Sequence, residues 1–210
     1  MIKVLVGDDH AVVRRGLRQI LAETPDVLVG GEAATGADVL RLVRAERWDV
    51  VVLDINLQGA NGLEILSEIR RDRPDLPVLI LTVYSEEQYA LRAVKAGAAG
   101  FLNKESAPEN LIEAVRKVAS GGRYVTAALA ERLATFVATK HEGAPHEKLS
   151  NREFEVLKLI ASGKTVGEIA RELSLSVKTV STHRTRILAK MEAKTNAELT
   201  HYAVKNKLVE

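Results

Sequence analysis

Five short apolar runs punctuate the first half of the chain, at Ile2–Gly7, Val27–Ala33, Val50–Leu53, Val78–Leu81 and Gly100–Leu102. They are rich in β-branched residues, bounded by Gly, Pro or Asp, and nearly continuous in apolarity, as strands covered on both faces are. Helix-spaced stripes lie between them: Leu17, Ile20 and Leu21; Val39, Leu40 and Val43; Leu63, Leu66 and Ile69; Leu91 and Val94; Leu111, Val115 and Val118. Strand alternating with helix five times predicts a doubly wound α/β domain on a five-stranded parallel sheet. In such a sheet every strand opens its carboxyl end onto one edge, where ligands bind. The residues closing these runs are Asp8 and Asp9, Asp54, Thr82, and Asn103 with Lys104. Three carboxylates, a hydroxyl and an ammonium therefore converge on one pocket suited to phosphate and a hard metal ion.

At 210 residues the chain is long enough for two domains. It has no cysteine, which excludes disulfides, thiolate metal sites and cysteine nucleophiles. No leader pattern precedes the first strand, and no apolar run approaches the roughly 18–20 residues that span a bilayer. The expectation is a soluble, cytoplasmic protein without a membrane partner. A net charge of +2 hides an asymmetry: Lys and Arg minus Asp and Glu is −3 over residues 1–120 and +5 over 121–210. A basic second half fits a nucleic-acid partner.

Gly121-Gly122 ends the α/β pattern. Residues 1–121 are read as the first domain and 122–148 as a linker containing a short helix over Ala127–Ala138. Residues 149–210 read as a second, smaller all-α domain. Within it Ser150/Glu153, Thr165/Glu168 and Thr195/Glu198 stand at capping-box spacing, as do Ser85/Gln88 and Ser106/Glu109 in the first. Helices are expected at Asn151–Ser162, Val166–Leu173, Ser176–Met191 and Asn196–Asn206. The short Ser174–Leu175 connection makes the middle pair a helix-turn-helix. The long helix buries Val180, His183, Ile187 and Met191 and presents Lys178, Ser181, Thr182, Thr185, Arg186 and Ala189 opposite. Ser181, Thr182 and Thr185 are short enough to approach base edges. Lys178 and Thr179 sit where a helix N-terminus favours phosphate, and Arg184 and Arg186 reach either target.

The first domain resembles the receiver domain of two-component response regulators, in the Asp8-Asp9 pair, the aspartate of V-V-V-L-D-I-N, the L-T of Thr82 and the F-L-N-K ending at Lys104. The second resembles the LuxR-type helix-turn-helix, in L-S-N-R-E-F-E-V-L, E-I-A-R-E-L and K-T-V-S-T-H. Together they cover almost the whole chain and resemble the NarL/FixJ class. The resemblance implies a flavodoxin-like fold and a DNA-binding transcriptional regulator, not an enzyme, gated by phosphoryl transfer from a histidine kinase to Asp54. It also implies Mg²⁺ held by Asp8, Asp9, Asp54 and the Asn56 carbonyl, with Thr82 and Lys104 contacting the phosphoryl group and Phe101 following Thr82. A homodimer on phosphorylation would read inverted half-sites of double-stranded DNA, through the receiver's first and last helices or the stripe Leu199, Tyr202 and Ala203.

Two alternatives stand beside this reading. One is a transcription factor whose receiver works without phosphorylation. The other is an aspartyl-phosphate hydrolase, disfavoured because Asn56 replaces the second carboxylate such enzymes use. The family's usual proline after the lysine is Glu105 here, which leaves open whether that peptide is cis. His10, His141 and His146 are read as solvated or packing residues, and His183 as packed and hydrogen-bonded. Tyr84 and Asn56 flank the expected path of hydrolytic water.

Overall fold

A computed structural model describes residues 1–58, 60–127, 129–131, 134 and 144–209. Chain contacts divide it into two units, Met1–Thr139 and Lys140–Glu210. Much of the helix expected over Ala127–Ala138, and residues 139–143 of the linker, lie outside the described residues. No described helix is long and apolar enough to cross a membrane.

In the first unit the elements are β1 (Ile2–Gly7), α1 (Ala11–Ala22), β2 (Val27–Ala33), α2 (Gly36–Ala45), β3 (Val50–Leu53), β4 (Asn56–Leu57), β5 (Ala60–Asn61), α3 (Gly62–Asp72), β6 (Val78–Thr82), α4 (Glu86–Lys95), β7 (Gly100–Asn103) and α5 (Ala107–Ala119). The main sheet runs β2-β1-β3-β6-β7, all parallel, while β4 and β5 form a small antiparallel ribbon. Strand pleat sorts the core. Val4 and Val6, Val50 and Val52, Leu79 and Leu81 pack with Leu17, Leu21, Leu111, Val115 and Val118 of α1 and α5. The alternate residues Leu5, Val51, Leu53, Ile80 and Phe101 point the other way and are equally buried. Burying both faces requires the near-continuous apolar runs seen in the sequence. The outer edge of β7 is closed by Tyr124, whose N–H donates to the Ala99 carbonyl and whose carbonyl accepts from the Phe101 N–H. Gly100 is needed there, because a Cβ would lie 2.8 Å from the Tyr124 oxygen.

The helix starts correct one expectation. Ser85 and Ser106 both precede helices, yet neither side chain caps its helix. A 3₁₀ turn over Lys104–Ser106 already carries the chain into α5, and the Ser106 hydroxyl donates back to the Asn103 carbonyl. Thr35 and Asn61 do the capping work in this unit, accepting from the N–H groups of Asp38 and Leu63.

The second unit contains α6 (Asn151–Ala161), α7 (Val166–Glu172), α8 (Val177–Lys190) and α9 (Asn196–Lys205). Ser150/Glu153 and Thr165/Glu168 form reciprocal capping boxes. Thr195/Glu198 is only half of one, since the Glu198 carboxylate takes the Lys194 N–H and leaves that of Thr195 aside. All four helices close alike, with a left-handed residue and a bond from the following N–H to a carbonyl five residues back. The left-handed residues are Gly163, Ser174, Glu192 and Lys207. These are Schellman turns, which favour glycine because a Cβ opposes the left-handed conformation. Leu157, Ile160, Ile169, Val180, Ile187, Leu199 and Ala203 are buried between the helices.

Candidate functional site

Parallel register assembles the pocket. Gly7 lies opposite Leu53 and Thr82 opposite Asn103, so the residues after each strand become neighbours. The Asp54 N–H donates to the Gly7 carbonyl at 2.8 Å, and the Asp8 N–H to that of Ala33 at 3.0 Å. Behind Asp54 the chain turns so tightly into α3 that a Cβ on Gly62 would lie 2.0 Å from the Asp54 carbonyl oxygen. Only glycine fits there.

Asp8 and Asp54 are almost fully buried, at 1% and 3% exposure. Lys104 reaches in from the end of β7 and places Nζ 2.6 Å from Asp8 Oδ2 and 2.6 Å from Asp54 Oδ2. Burial pushes the Asp54 carboxyl above the usual carboxylate range, against the opposing pull of Lys104. Burial works against the Lys104 charge too, but Asp54 and Asp8 outweigh it and hold the ammonium above its ordinary value. One ammonium does not satisfy three carboxylates. Asp54 Oδ1 is buried with no hydrogen-bond partner among the described residues, as is Asp9 Oδ1. Asp8, Asp9, His10 and Asp54 each offer one ligand atom, all within 4.8 Å of one another. Trans ligands of an octahedral Mg²⁺ stand about 4.2 Å apart, so these residues fit a hard divalent cation.

Other expected residues surround this centre. Thr82 is fully buried at the end of β6, with its hydroxyl oxygen 3.4 Å from the Tyr84 N–H. Phe101 is buried one strand over. Asn56 and Tyr84 bond directly, Asn56 Nδ2 donating to the Tyr84 hydroxyl at 3.0 Å, and Tyr84 stacks on Tyr89. No peptide bond among the described residues is cis. After Lys104 stands Glu105 in place of proline, and its N–H donates to the Asn103 side-chain oxygen at 2.8 Å, capping the 3₁₀ turn that follows β7.

Two contributors escaped the sequence reading. Arg14 donates to the Asp8 carbonyl at 2.6 Å and pairs with Glu32 of β2, tying the acidic turn to α1. His10, expected as surface or packing, places Nδ1 2.5 Å from Asp9 Oδ1. Its position beside two aspartates was the available signal. Nothing in sequence spacing marks Arg14.

On α8 Val180 and Ile187 are buried as expected, while His183 and Met191 are half-buried. His183 departs from its expectation: Nδ1 is buried without a hydrogen-bond partner among the described residues, and burial holds the ring below its usual pKa. Lys178, Thr179, Ser181, Thr182, Thr185 and Arg186 are all exposed. Arg184 is not among them. It turns toward α9, is half-buried, and donates from Nε to Asn196 Oδ1 at 2.7 Å. Thr182 and Thr185 donate their hydroxyls to the carbonyls of Lys178 and Ser181, one turn back. Their methyl groups are thus left to the outer face.

The Leu199–Tyr202–Ala203 stripe packs within its own unit. Leu199 and Ala203 are fully buried, and the Tyr202 hydroxyl meets His146 Nδ1 at 2.8 Å. His146 is therefore partnered rather than merely solvated. His141 lies outside the described residues.

With this geometry in hand, the comparisons are specific. A family model described as the response regulator receiver domain matches residues 4–116, and one described as bacterial regulatory proteins, luxR family, matches residues 147–203. The chain is 38% identical to response regulator UvrY of Escherichia coli O6:H1 over 209 residues, 99% of this chain and 96% of that protein. It is 38% identical to response regulator GacA of Pseudomonas aeruginosa over 212 residues, 100% of this chain and 99% of that one. Among solved structures it is similar to RcsB from Salmonella enterica serovar Typhimurium bound to promoter P1flhDC in the presence of phosphomimetic BeF3⁻. That likeness has a TM-score of 0.60 at 26% identity and covers 96% of this chain and 97% of the other. Matched in both halves and along its whole length, the chain belongs to the two-component response regulators that join a receiver domain to a LuxR-type DNA-binding domain.

Proposed function

We propose that this protein is a transcriptional regulator switched by phosphorylation of Asp54, with residues 1–121 as the phosphoacceptor, 122–148 as connection and 149–210 as the DNA-binding unit. The observation that carries the reading is Asp54 itself, a buried carboxylate whose Oδ1 lacks a hydrogen-bond partner among the described residues while Oδ2 is held by Lys104. An Asp54 oxygen attacks the phosphorus of a kinase phosphohistidine. The new O–P bond forms as the N–P bond breaks, and the electron pair leaves on the imidazole, which takes a proton from solvent. Mg²⁺ held by Asp8, Asp9, Asp54 and the Asn56 carbonyl supplies neutralisation of the phosphoryl oxygens when bound. Lys104, already at the carboxylates, moves to a phosphoryl oxygen, and the Thr82 hydroxyl donates to another. Phe101, already buried one strand over, follows Thr82 as the threonine hydroxyl turns to the phosphoryl group.

On the output side, α8 enters the major groove of double-stranded DNA. Thr182 and Thr185 face the bases, Ser181 lies beside them, and Lys178, Thr179 and Arg186 lie toward phosphates. Arg184 supports this face through Asn196. Pairing of two copies on phosphorylation brings two half-sites within reach, through the first and last receiver helices now that the Leu199 stripe is spent internally. A relative solved on promoter DNA in the presence of a phosphomimetic supports a phosphorylated form that binds DNA. The cytoplasm is where such a regulator meets both kinase and promoter.

The test is acid-stable against acid-labile label after incubation with a small-molecule phosphodonor and Mg²⁺. One acid-labile phosphoryl group per chain is expected, absent in Asp54→Asn, with tighter operator binding by the phosphorylated chain. Equal labelling of Asp54→Asn would overturn the assignment. Sustained turnover of phosphate esters would favour the hydrolase reading instead.

A further inference from the structure

We infer that Thr182 and Thr185 recognise thymines, packing their methyl groups on the C5-methyl group in the major groove instead of bonding bases through their hydroxyls. This rests on reading α8 as the DNA-facing helix and names what that helix selects. A threonine hydroxyl has one proton to give. On α8 both protons are spent on the helix itself, from Thr182 Oγ1 to the Lys178 carbonyl at 2.9 Å and from Thr185 Oγ1 to the Ser181 carbonyl at 3.1 Å. Neither side chain then donates to guanine N7 or O6, or to thymine O4, all of which are acceptors. What each has left for a base edge is a methyl group and an oxygen lone pair. The methyl complements the one apolar group in the major groove, the C5-methyl of thymine.

The rest of the helix face agrees. Thr182 and Thr185 are both exposed, and three residues advance about 4.5 Å along a helix axis. Successive base pairs are about 3.4 Å apart, so the two methyl groups address neighbouring pairs. Ala189 continues the exposed strip one turn on, and Val177 stands 56% exposed in the first turn. Lys178 and Arg186 are exposed beside these apolar groups, and α8 contains no acidic residue to repel phosphate. Cations around a strip of methyl groups match a duplex whose backbone is anionic and whose groove carries methyls of its own. A lone pair accepting from adenine N6 would also read an A·T pair, and removing the thymine methyl alone tells the two contacts apart.

The measurement starts from duplexes selected out of a random-sequence pool by the full-length chain, treated with a small-molecule phosphodonor and Mg²⁺. Each thymine of the selected half-site is then replaced in turn by deoxyuridine, which removes the C5-methyl and keeps every hydrogen-bonding group. At one or two base pairs the replacement should weaken binding about fourfold, the worth of one buried methyl group. Thr182→Ser and Thr185→Ser keep the hydroxyl and lose the methyl, so each should bind the two duplexes equally at one of those pairs. Thr182→Val and Thr185→Val lose the hydroxyl and keep the methyl, so both should retain the preference for thymine. A change of duplex shape would persist in the serine variants, whereas a lost contact would not. Indifference of the wild-type chain to deoxyuridine at every position, or a thymine preference kept by both serine variants, would overturn the inference. Lys178→Ala scores the underlying reading separately, since it should weaken selected and random duplexes alike. If it does so while deoxyuridine has no effect, only the thymine assignment falls. If no sequence is enriched and Lys178→Ala binds random DNA as the wild type does, α8 is not the DNA-facing helix and both readings fall.

Discussion

The strand-end pocket and the outer face of α8 are the two working surfaces of the chain, and they are built in opposite ways. In the pocket, parallel register forces charged groups together and hides them from water. On α8 Lys178, Ser181, Thr182, Thr185 and Arg186 stand in solvent, positioned by the helix beneath them. Buried charges are coupled to folding, whereas exposed ones are worth little until a partner arrives. Substitutions in the pocket should therefore alter stability and function together, and substitutions on the helix face should alter function alone.

The largest expected effect is that of Lys104→Ala. Removing the ammonium leaves Asp8 and Asp54 facing one another without a buried partner, a class of change that costs about 3–5 kcal/mol. Thermal melting in chelator should show the loss, and Mg²⁺ should recover much of it by mass action. A drop under 1 kcal/mol would mean the carboxylates are far better solvated than their burial indicates. Asp54→Asn should act in the opposite direction. The folded state holds Asp54 above its ordinary value, so at neutral pH the ionised carboxylate opposes folding, and the penalty is relieved as pH falls through the raised value. Relieving it by substitution should stabilise the metal-free chain by about 1 kcal/mol, as relaxing functional sites commonly does. The gap between wild type and variant should narrow on acidification.

On α8 the comparison sharpens into affinity without stability. Thr182→Ala should relax discrimination at one base pair by about 1–3 kcal/mol, and Lys178→Ala should weaken specific and random DNA alike and lower the salt slope by about one counterion. Both should melt within about 0.5 kcal/mol of wild type, as exposed positions do. Because the Thr182 hydroxyl is turned back to the Lys178 carbonyl, Thr182→Val should preserve more discrimination than Thr182→Ser. Titrations against single-base operator changes at two salt concentrations separate these outcomes. Identical base preference in all three threonine variants would remove Thr182 from direct readout.

Much of this was legible before any coordinates, for a physical reason. A sheet buried on both faces writes itself as apolar runs, and parallel strands place whatever follows them at one edge, so Asp8, Asp54, Thr82 and Lys104 were found together. What was illegible depended on side-chain choices with no periodic signature. Arg14 reaches the Asp8 carbonyl across a turn of helix, Asn103 caps the turn after Lys104, and His10 leans on Asp9. Arg184 read as a DNA contact because it is a cation on the right helix. Spacing on that helix did not reveal that its Nε donates to Asn196 Oδ1. Hydroxyl-to-glutamate spacing predicted caps well where the serine or threonine is the last extended residue, as at Ser150 and Thr165. It failed at Ser106, where the backbone is already turning, and the Ser85/Gln88 spacing failed too, although Ser85 is extended.

Helix ends extend the comparison to its smallest effect. The N-termini of the second unit announce themselves in sequence, whereas three of its four C-terminal turns do not, because Ser174, Glu192 and Lys207 occupy positions that glycine usually fills. A left-handed L-residue costs roughly 1–2 kcal/mol, and glycine removes that cost while adding about 0.5–1 kcal/mol of lost unfolded-state freedom. Glu192 is the cleanest site, being exposed at a φ of 54° with its turn held by backbone bonds from Glu192 to Ala189 and from Ala193 to Leu188. Glu192→Gly should therefore stabilise the second unit by about 0.5–1 kcal/mol. Gly163→Ala, at a φ of 83°, should destabilise it by a similar amount or more. Hydrogen exchange of amides in α8 and α9 reads the second unit directly, without relying on Trp48 in the first. Slower exchange in Glu192→Gly and faster exchange in Gly163→Ala are expected. No change in Glu192→Gly would mean that the turn is stabilised by something other than its backbone, and would shift attention to the side chains that follow it.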